Sequence, residues 1–199
     1  MSVVHVVDDD PALSDALCFL FRSRGATPVP YLSGEAFLAR VDEAREGCVL
    51  LDVRMDGMSG LDLFDRLRDR DFRLPVIFLS GHADVPMAVD ALKKGARDFV
   101  VKPFNDNELV DRVLAAIEED AARRATQERR EAVTARLASL SERERQVMEL
   151  MLAGRMNKVI ADDLGIAMRT VEAHRARVLD KMGVRSAIEL ANLLAATRS

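Results

Sequence analysis

The 199-residue chain contains only two cysteines, and neither falls in a metal-ligand spacing. Cys18 and Cys48 sit inside apolar patterns, so they read as reduced core residues of a cytosolic protein rather than a disulfide framework. No apolar run reaches the ~18 residues of a membrane span. The beginning, MSVVHVVDDD, has no basic n-region and no small-residue cleavage site, so no signal peptide is expected there. Glycine and proline are missing from residues 120–138, DAARRATQERREAVTARLA. That stretch reads as an exposed helical linker, and its apolar face is too thin for a coiled coil. What remains, 49% apolar residues, is enough for one large packed domain or two small ones.

The net charge of −4 hides an asymmetry. Residues 1–120 hold 14 Lys/Arg against 23 Asp/Glu, residues 121–138 hold 5 against 2, and residues 139–199 hold 10 against 8. The acidic part suits cation binding, and the mildly basic part is compatible with nucleic acid.

Short β-branched runs at 3–7, 27–31, 48–52, 75–79 and 98–101 alternate with helical periodicity near 10–25, 33–44, 59–70, 84–95 and 105–119. Five strand–helix units predict an α/β doubly wound, five-stranded parallel sheet. Asp10 is expected to cap the first helix, with Pro11 at its first position. Residues 139–199 show only helical period and predict an all-α four-helix unit. Ser141 and Glu144 form a capping box, and Gly154 and Gly165 end the first two helices. A short helix, a turn containing Gly and a longer helix make a helix-turn-helix pattern. The expected organisation is therefore 1–119, a linker at 120–138, and 139–199.

Four strand ends carry residues suited to phosphate or a divalent cation. VVHVV runs into Asp8–Asp10, CVLL into Asp52, PVIFL into Ser80, and DFVV into Lys102. In a parallel sheet these ends share one edge, where such folds bind ligands. Transfer of a phosphoryl group to a carboxylate needs a nucleophile, a cation and donors for the developing charge. Asp52 is the candidate nucleophile. Asp8 and Asp9, with Asp52 and the Arg54 backbone carbonyl, are candidate Mg²⁺ ligands. Lys102 and Ser80 are candidate partners of phosphoryl oxygens. Each residue also has a plainer reading: a solvated loop for the acids, a turn for Ser80, and the core for Phe99. Asp10 is assigned to the cap. His5 is expected to point outward from the first strand, and His82 to lie on the surface.

The blocks VVDDD, LLDVRM, FLSGHADV and FVVKPF resemble, in order and spacing, a response-regulator receiver domain, and the whole chain resembles the FixJ-type members of the NarL/FixJ family. The resemblance implies that Asp52 accepts phosphate from a sensor histidine kinase in a Mg²⁺-dependent step. It also implies that Ser80 and Phe99 change position as switch residues, and that the position of His82 tunes phosphate lifetime. The family often has Pro where this chain has Asp56. Asp56 reads as a solvated loop residue, and Asp56→Pro is expected to change phosphorylation only modestly.

On the third helix of the C-terminal part, Val171, His174, Val178 and Met182 form one buried stripe. Arg169, Thr170, Glu172, Ala173, Arg175 and Ala176 are placed for the major groove, where Arg reads guanine, Glu reads cytosine and Ala methyls meet thymine methyls. Asn157, Lys158 and Arg177 are candidate phosphate contacts, with Lys181 and Arg185 as weaker ones. Residues 140–184 resemble a LuxR-type helix-turn-helix. Met156 and Ala167 stand where family members usually have a capping Ser or Thr.

The resemblance thus implies a cytoplasmic transcription factor that dimerises on phosphorylation, binds double-stranded promoter DNA and works with RNA polymerase, often as an activator. Three other classes stay open on sequence alone. They are a small-molecule phosphatase or phosphotransferase, a phosphate-independent DNA-binding regulator, and a regulator whose C-terminal part binds protein or RNA.

Overall fold

The computed structural model describes residues 2–81 and 85–198. Residues Met1–Arg123 and Arg124–Ser199 form two compact units. The first is built from β1 (Val3–Val7), α1 (Pro11–Ser23), β2 (Thr27–Tyr31), α2 (Gly34–Ala39), β3 (Cys48–Asp52), α3 (Gly60–Asp69), β4 (Val76–Ser80), α4 (Val85–Lys93), β5 (Asp98–Val101) and the start of α5 (Asp106–Ala138). All strand pairs are parallel, in the order β2-β1-β3-β4-β5. Both faces of the sheet are covered, so the strands read as continuous apolar runs. On one face Leu17, Phe21, Leu109 and Val113 pack against Val6, Leu50 and Leu79; on the other, Phe37, Leu63 and Leu67 pack against Val7, Leu51 and Phe78.

Local chemistry sets the boundaries. The Asp10 carboxylate accepts from the Ala12 and Leu13 amides at 2.9 and 3.3 Å, capping α1 with Pro11 at its start. β4 begins at Val76, one residue later than expected, because Pro75 has no N–H for the ladder. The helix expected over 33–44 breaks at Arg40, whose φ of −119° is not helical, and continues as a 3₁₀ turn over Val41–Glu43.

His5 does not point outward to solvent. It is 4% exposed, because helices cover both faces of a parallel sheet. Its Nε2 donates to the Glu46 carbonyl at 3.2 Å, its Nδ1 lies 3.4 Å from the Tyr31 hydroxyl, and its ring meets Phe37 edge-on at 5.9 Å. Burial lowers its pKa below 6.5, against the opposing bond to Glu46. A depressed folded pKa favours the neutral ring, so its contribution to stability is full above the unfolded pKa and is lost as pH falls through the folded value. Urea midpoints of the wild type should therefore fall on acidification below ~6.5, and His5→Phe should flatten that slope. An unchanged slope in His5→Phe would place the acid sensitivity elsewhere.

The second unit contains the end of α5, then α6 (Glu142–Leu152), α7 (Asn157–Leu164), α8 (Met168–Met182) and α9 (Ala187–Arg198). Ser141 and Glu144 complete the capping box of α6. The Glu144 carboxylate also accepts from Lys181 Nζ at 2.7 Å, and Lys181 with the Ser141 amide pulls its pKa down to about 2. Gly165 and Gly183 close α7 and α8 in the left-handed conformation. Residues 120–138 are helical, but not simply exposed. Val133 is 3% exposed, packed with Val178, Met182 and Leu190, and Arg136 Nη1 donates to the Met182 carbonyl at 2.9 Å. Among the described residues no helix is long and apolar enough to cross a membrane.

Candidate phosphoryl site and nucleic-acid surface

Parallel strands bring Asp8, Asp52, Ser80 and Lys102 to one edge of the sheet. Asp8, Asp52 and Ser80 are 2%, 6% and 3% exposed. The Lys102 ammonium donates to Asp8 Oδ2 at 3.0 Å and to Asp52 Oδ1. The other oxygen of each carboxylate is held by backbone: Asp52 Oδ2 by the Arg54 amide at 2.7 Å, and Asp8 Oδ1 by the Asp10 amide at 3.0 Å. The Lys102 amide donates to the Ser80 carbonyl at 2.7 Å, which fixes the lysine beside the end of β4. Gly60 is required here, because a Cβ at that position would strike the Asp52 carbonyl oxygen. Its amide donates to the Val53 carbonyl at 3.0 Å, so α3 starts directly against the end of β3.

Burial pushes the Asp52 pKa up; Lys102 opposes, the neighbouring Asp8 adds to the rise, and the balance stays above the ordinary carboxylate value. For Lys102, burial disfavours the ammonium, but the carboxylates of Asp52 and Asp8 outweigh it and hold its pKa above normal. The result is a comparatively basic carboxylate next to a secured positive charge, which suits attack on an electrophile that carries negative oxygens.

The remaining expected residues are placed as follows. Asp9 is partly buried, and its Oδ2 accepts from the Asp56 amide at 2.7 Å. The Asp56 side chain is exposed as expected, but its backbone is engaged. Proline there would remove this bond, which no local pattern in the sequence reveals. Phe99 is partly buried, its ring centre 6.1 Å from that of Phe78. A groove of ≈ 220 Å³ is lined by Phe99, Val101, Phe104 and Arg112, among others. Nearby, Val85, Val89 and Leu92 of α4 and Val101 of β5 are 67%, 42%, 44% and 39% exposed. His82 lies outside the described residues. Glu35, whose Oε1 accepts from the Met58 amide at 3.1 Å, carries no sequence signature. In sequence it is merely an acid in the first turn of a helix.

The donor set fits a divalent cation. Among the described residues no three His, Cys, Asp or Glu side chains are grouped so that they could together hold a metal ion. An ion that keeps several waters needs only one or two carboxylates, and here Asp8 and Asp52 already converge on one positive charge.

On α8, Val171, Val178 and Met182 are fully buried. His174 shares that stripe, half-buried, with its Nδ1 lacking a hydrogen-bond partner. Arg169, Thr170, Glu172, Ala173, Ala176 and Arg177 are exposed and Arg175 partly so; Lys158 is exposed and Asn157 half-buried at the start of α7. Lys181 is not a free phosphate contact, since Glu144 and the Ser139 carbonyl hold its ammonium at 2.7 and 2.9 Å. The Arg185 amide donates to Glu189. Met156 and Ala167 cap α7 and α8 without a side-chain bond.

Residues 4–114 match the response regulator receiver domain family, and residues 138–194 match the LuxR family of bacterial regulatory proteins. The chain is 57% identical over 192 residues to the C4-dicarboxylate transport transcriptional regulatory protein DctR of Rhodobacter capsulatus, covering 96% of this chain and 98% of that one. It is 44% identical over 190 residues to the transcriptional regulatory protein FixJ of Azorhizobium caulinodans, covering 96% and 90%. Among solved structures it resembles the response regulator StyR, with a TM-score of 0.89 and 38% identity over 98% of both chains. Full-length FixJ from B. japonicum gives a TM-score of 0.63 and 40% identity over 99% of this chain and 97% of that one. The chain therefore belongs to the NarL/FixJ family of two-component response regulators, transcription regulators rather than enzymes, in which a receiver domain is joined to a LuxR-type DNA-binding domain.

Proposed function

We propose that this protein is a phosphorylation-controlled transcription factor, with a receiver in residues 1–119, a helical connection at 120–138 and a DNA-binding module at 139–199. The observation that carries this reading is the Lys102 ammonium bonded to both Asp8 and Asp52 at the ligand-binding edge of the sheet. An Asp52 carboxylate oxygen attacks the phosphorus of a kinase phosphohistidine. The oxygen–phosphorus bond forms as the phosphorus–nitrogen bond breaks, and the leaving imidazole takes its proton from water. Mg²⁺, typical of receiver domains, would neutralise phosphoryl oxygens in this step. Asp8, Asp9, Asp52 and the Arg54 carbonyl would hold it. Lys102 balances another phosphoryl oxygen, and Ser80 donates to a third as it moves toward the group. Phe99 follows Ser80 inward, which reshapes the apolar face of α4 and β5. Two copies then associate through that face.

The dimer presents two copies of α8 to related half-sites of a promoter. Glu172 and Arg175 read bases there, with Arg169, Thr170, Ala173 and Ala176 beside them, while Asn157, Lys158 and Arg177 hold phosphates. Cytoplasmic action with RNA polymerase, as an activator, completes the reading. Because DctR is named for C4-dicarboxylate transport, promoters of dicarboxylate uptake genes are the first probes to use. The test is incubation with a small acyl phosphate, with and without Mg²⁺. One phosphoryl group should add, map to Asp52 and require the cation, and gel shift on the promoter probes should tighten. Addition at another residue, or equal addition in EDTA, would overturn the reading.

A further inference from the structure

The loop between β3 and α3, residues 53–59, carries the Arg54 carbonyl that is proposed as a cation ligand. Its ends are fixed by β3 and by the Gly60–Val53 hydrogen bond. Its middle is held by carboxylates from two other elements. The Asp56 amide donates to Asp9 Oδ2 at 2.7 Å, and the Met58 amide donates to Glu35 Oε1 at 3.1 Å. Between these two amides stands Gly57, with φ of +80°; a Cβ there would lie 3.1 Å from the same Glu35 oxygen. The left-handed turn and the close approach of the carboxylate both call for glycine. Met58 is 8% exposed, and its side chain lies against Gly34 at the start of α2. The first turn of α2 thus sits on the loop, with Glu35 reaching its backbone.

We propose that Glu35 is a positioning residue for the cation site, setting through the Met58 amide the loop that presents the Arg54 carbonyl, while the Asp56 amide ties the same loop to Asp9. This inference rests on the assignment of Asp8, Asp9, Asp52 and the Arg54 carbonyl to Mg²⁺. A helix-dipole role for Glu35 needs no contact with a particular amide; the observed bond is specific and charge-assisted. Glu35 touches no reacting atom. It acts as outer-shell groups at metal sites do, by fixing where a ligand stands. The Asp56 amide joins two proposed parts of the cation site directly.

The test is Mg²⁺ titration of the full, unphosphorylated chain by calorimetry, with thermal melting alongside. Glu35→Ala should weaken Mg²⁺ binding by about tenfold, the lower end of outer-shell effects. Glu35→Gln keeps an oxygen for the Met58 amide and should stay near the wild type. Equal losses in Ala and Gln variants would mean that only the charge matters, and a lower melting temperature with unchanged Mg²⁺ affinity would mean a merely structural role. Either result overturns the proposal. If the wild-type chain takes up no Mg²⁺, the reading of the whole edge falls and the role of Glu35 with it. If the wild type binds and Glu35→Ala binds equally, only the role of Glu35 falls.

Discussion

Replacing Asp52 with Asn should abolish phosphate-dependent dimerisation and DNA binding and at the same time raise the melting temperature of the receiver. The functional half follows from chemistry, since an amide oxygen cannot replace the carboxylate as nucleophile and no stable acyl phosphate forms. The stability half follows from electrostatics. Burial raises the Asp52 pKa, with Lys102 only partly offsetting it. A group with a raised folded pKa stabilises the fold below its unfolded pKa and loses that contribution as the pH rises through the folded value. At neutral pH the wild type is already past that point, whereas Asn carries no charge to bury. Lys102 keeps Asp8 as a partner at 3.0 Å, and the Asn oxygen still accepts from the Arg54 amide. Sedimentation with and without an acyl phosphate checks the first half, and thermal melting at neutral pH and below pH ~4 checks the second. The stability gain should shrink in acid, where Asp52 is protonated. Full phosphate-induced dimerisation of Asp52→Asn would sink the mechanism, and a lower melting temperature would show that the bond to Lys102 outweighs desolvation.

The parts of this protein legible in sequence are those set by local pattern. Apolar runs of strand length and the glycine and acid punctuation between them are enough to call a parallel sheet. The sheet alone then brings Asp8, Asp52, Ser80 and Lys102 to one edge. The Asp10 cap and the Ser141–Glu144 box are readable because donor and acceptor lie within four residues. What was misread depends on partners far along the chain. His5 is expected to face outward, but the helices on both faces of the sheet bury it. Residues 120–138 looked exposed because their apolar positions are sparse, yet Val133 and Arg136 meet α8 more than forty residues later. Lys181, a weaker phosphate candidate in sequence, is held by Glu144, 37 residues away. Glu35 and the Asp56 amide belong to the same class, since no spacing rule links a helix's first turn to a loop amide 23 residues on.

Arg175→Ala should cut binding to a specific promoter site by roughly five- to 150-fold, the range expected from a lost bidentate pair of about 1–3 kcal/mol, while leaving binding to unrelated DNA nearly unchanged. The distinction comes from where α8 puts its side chains. Val171, Val178 and Met182 are fully buried and fix which face of the helix is turned away from the core. Glu172 and Arg175 are three residues apart on the outer side, adjacent on the helix surface. They are close enough to bond each other or to read neighbouring bases. Glu172→Ala should therefore relax discrimination at the cytosine-bearing position and leave overall affinity closer to wild type than Arg175→Ala does. Lys158, exposed at the start of α7, carries the opposite signature. A phosphate contact holds no sequence information, so Lys158→Ala should weaken specific and unrelated DNA alike and reduce the salt slope of log K by ~1. Competition gel shifts across a salt series separate the two. If Arg175→Ala weakens all sequences equally and Lys158→Ala alters base preference, the assignment of reading and holding roles on α7 and α8 must be exchanged.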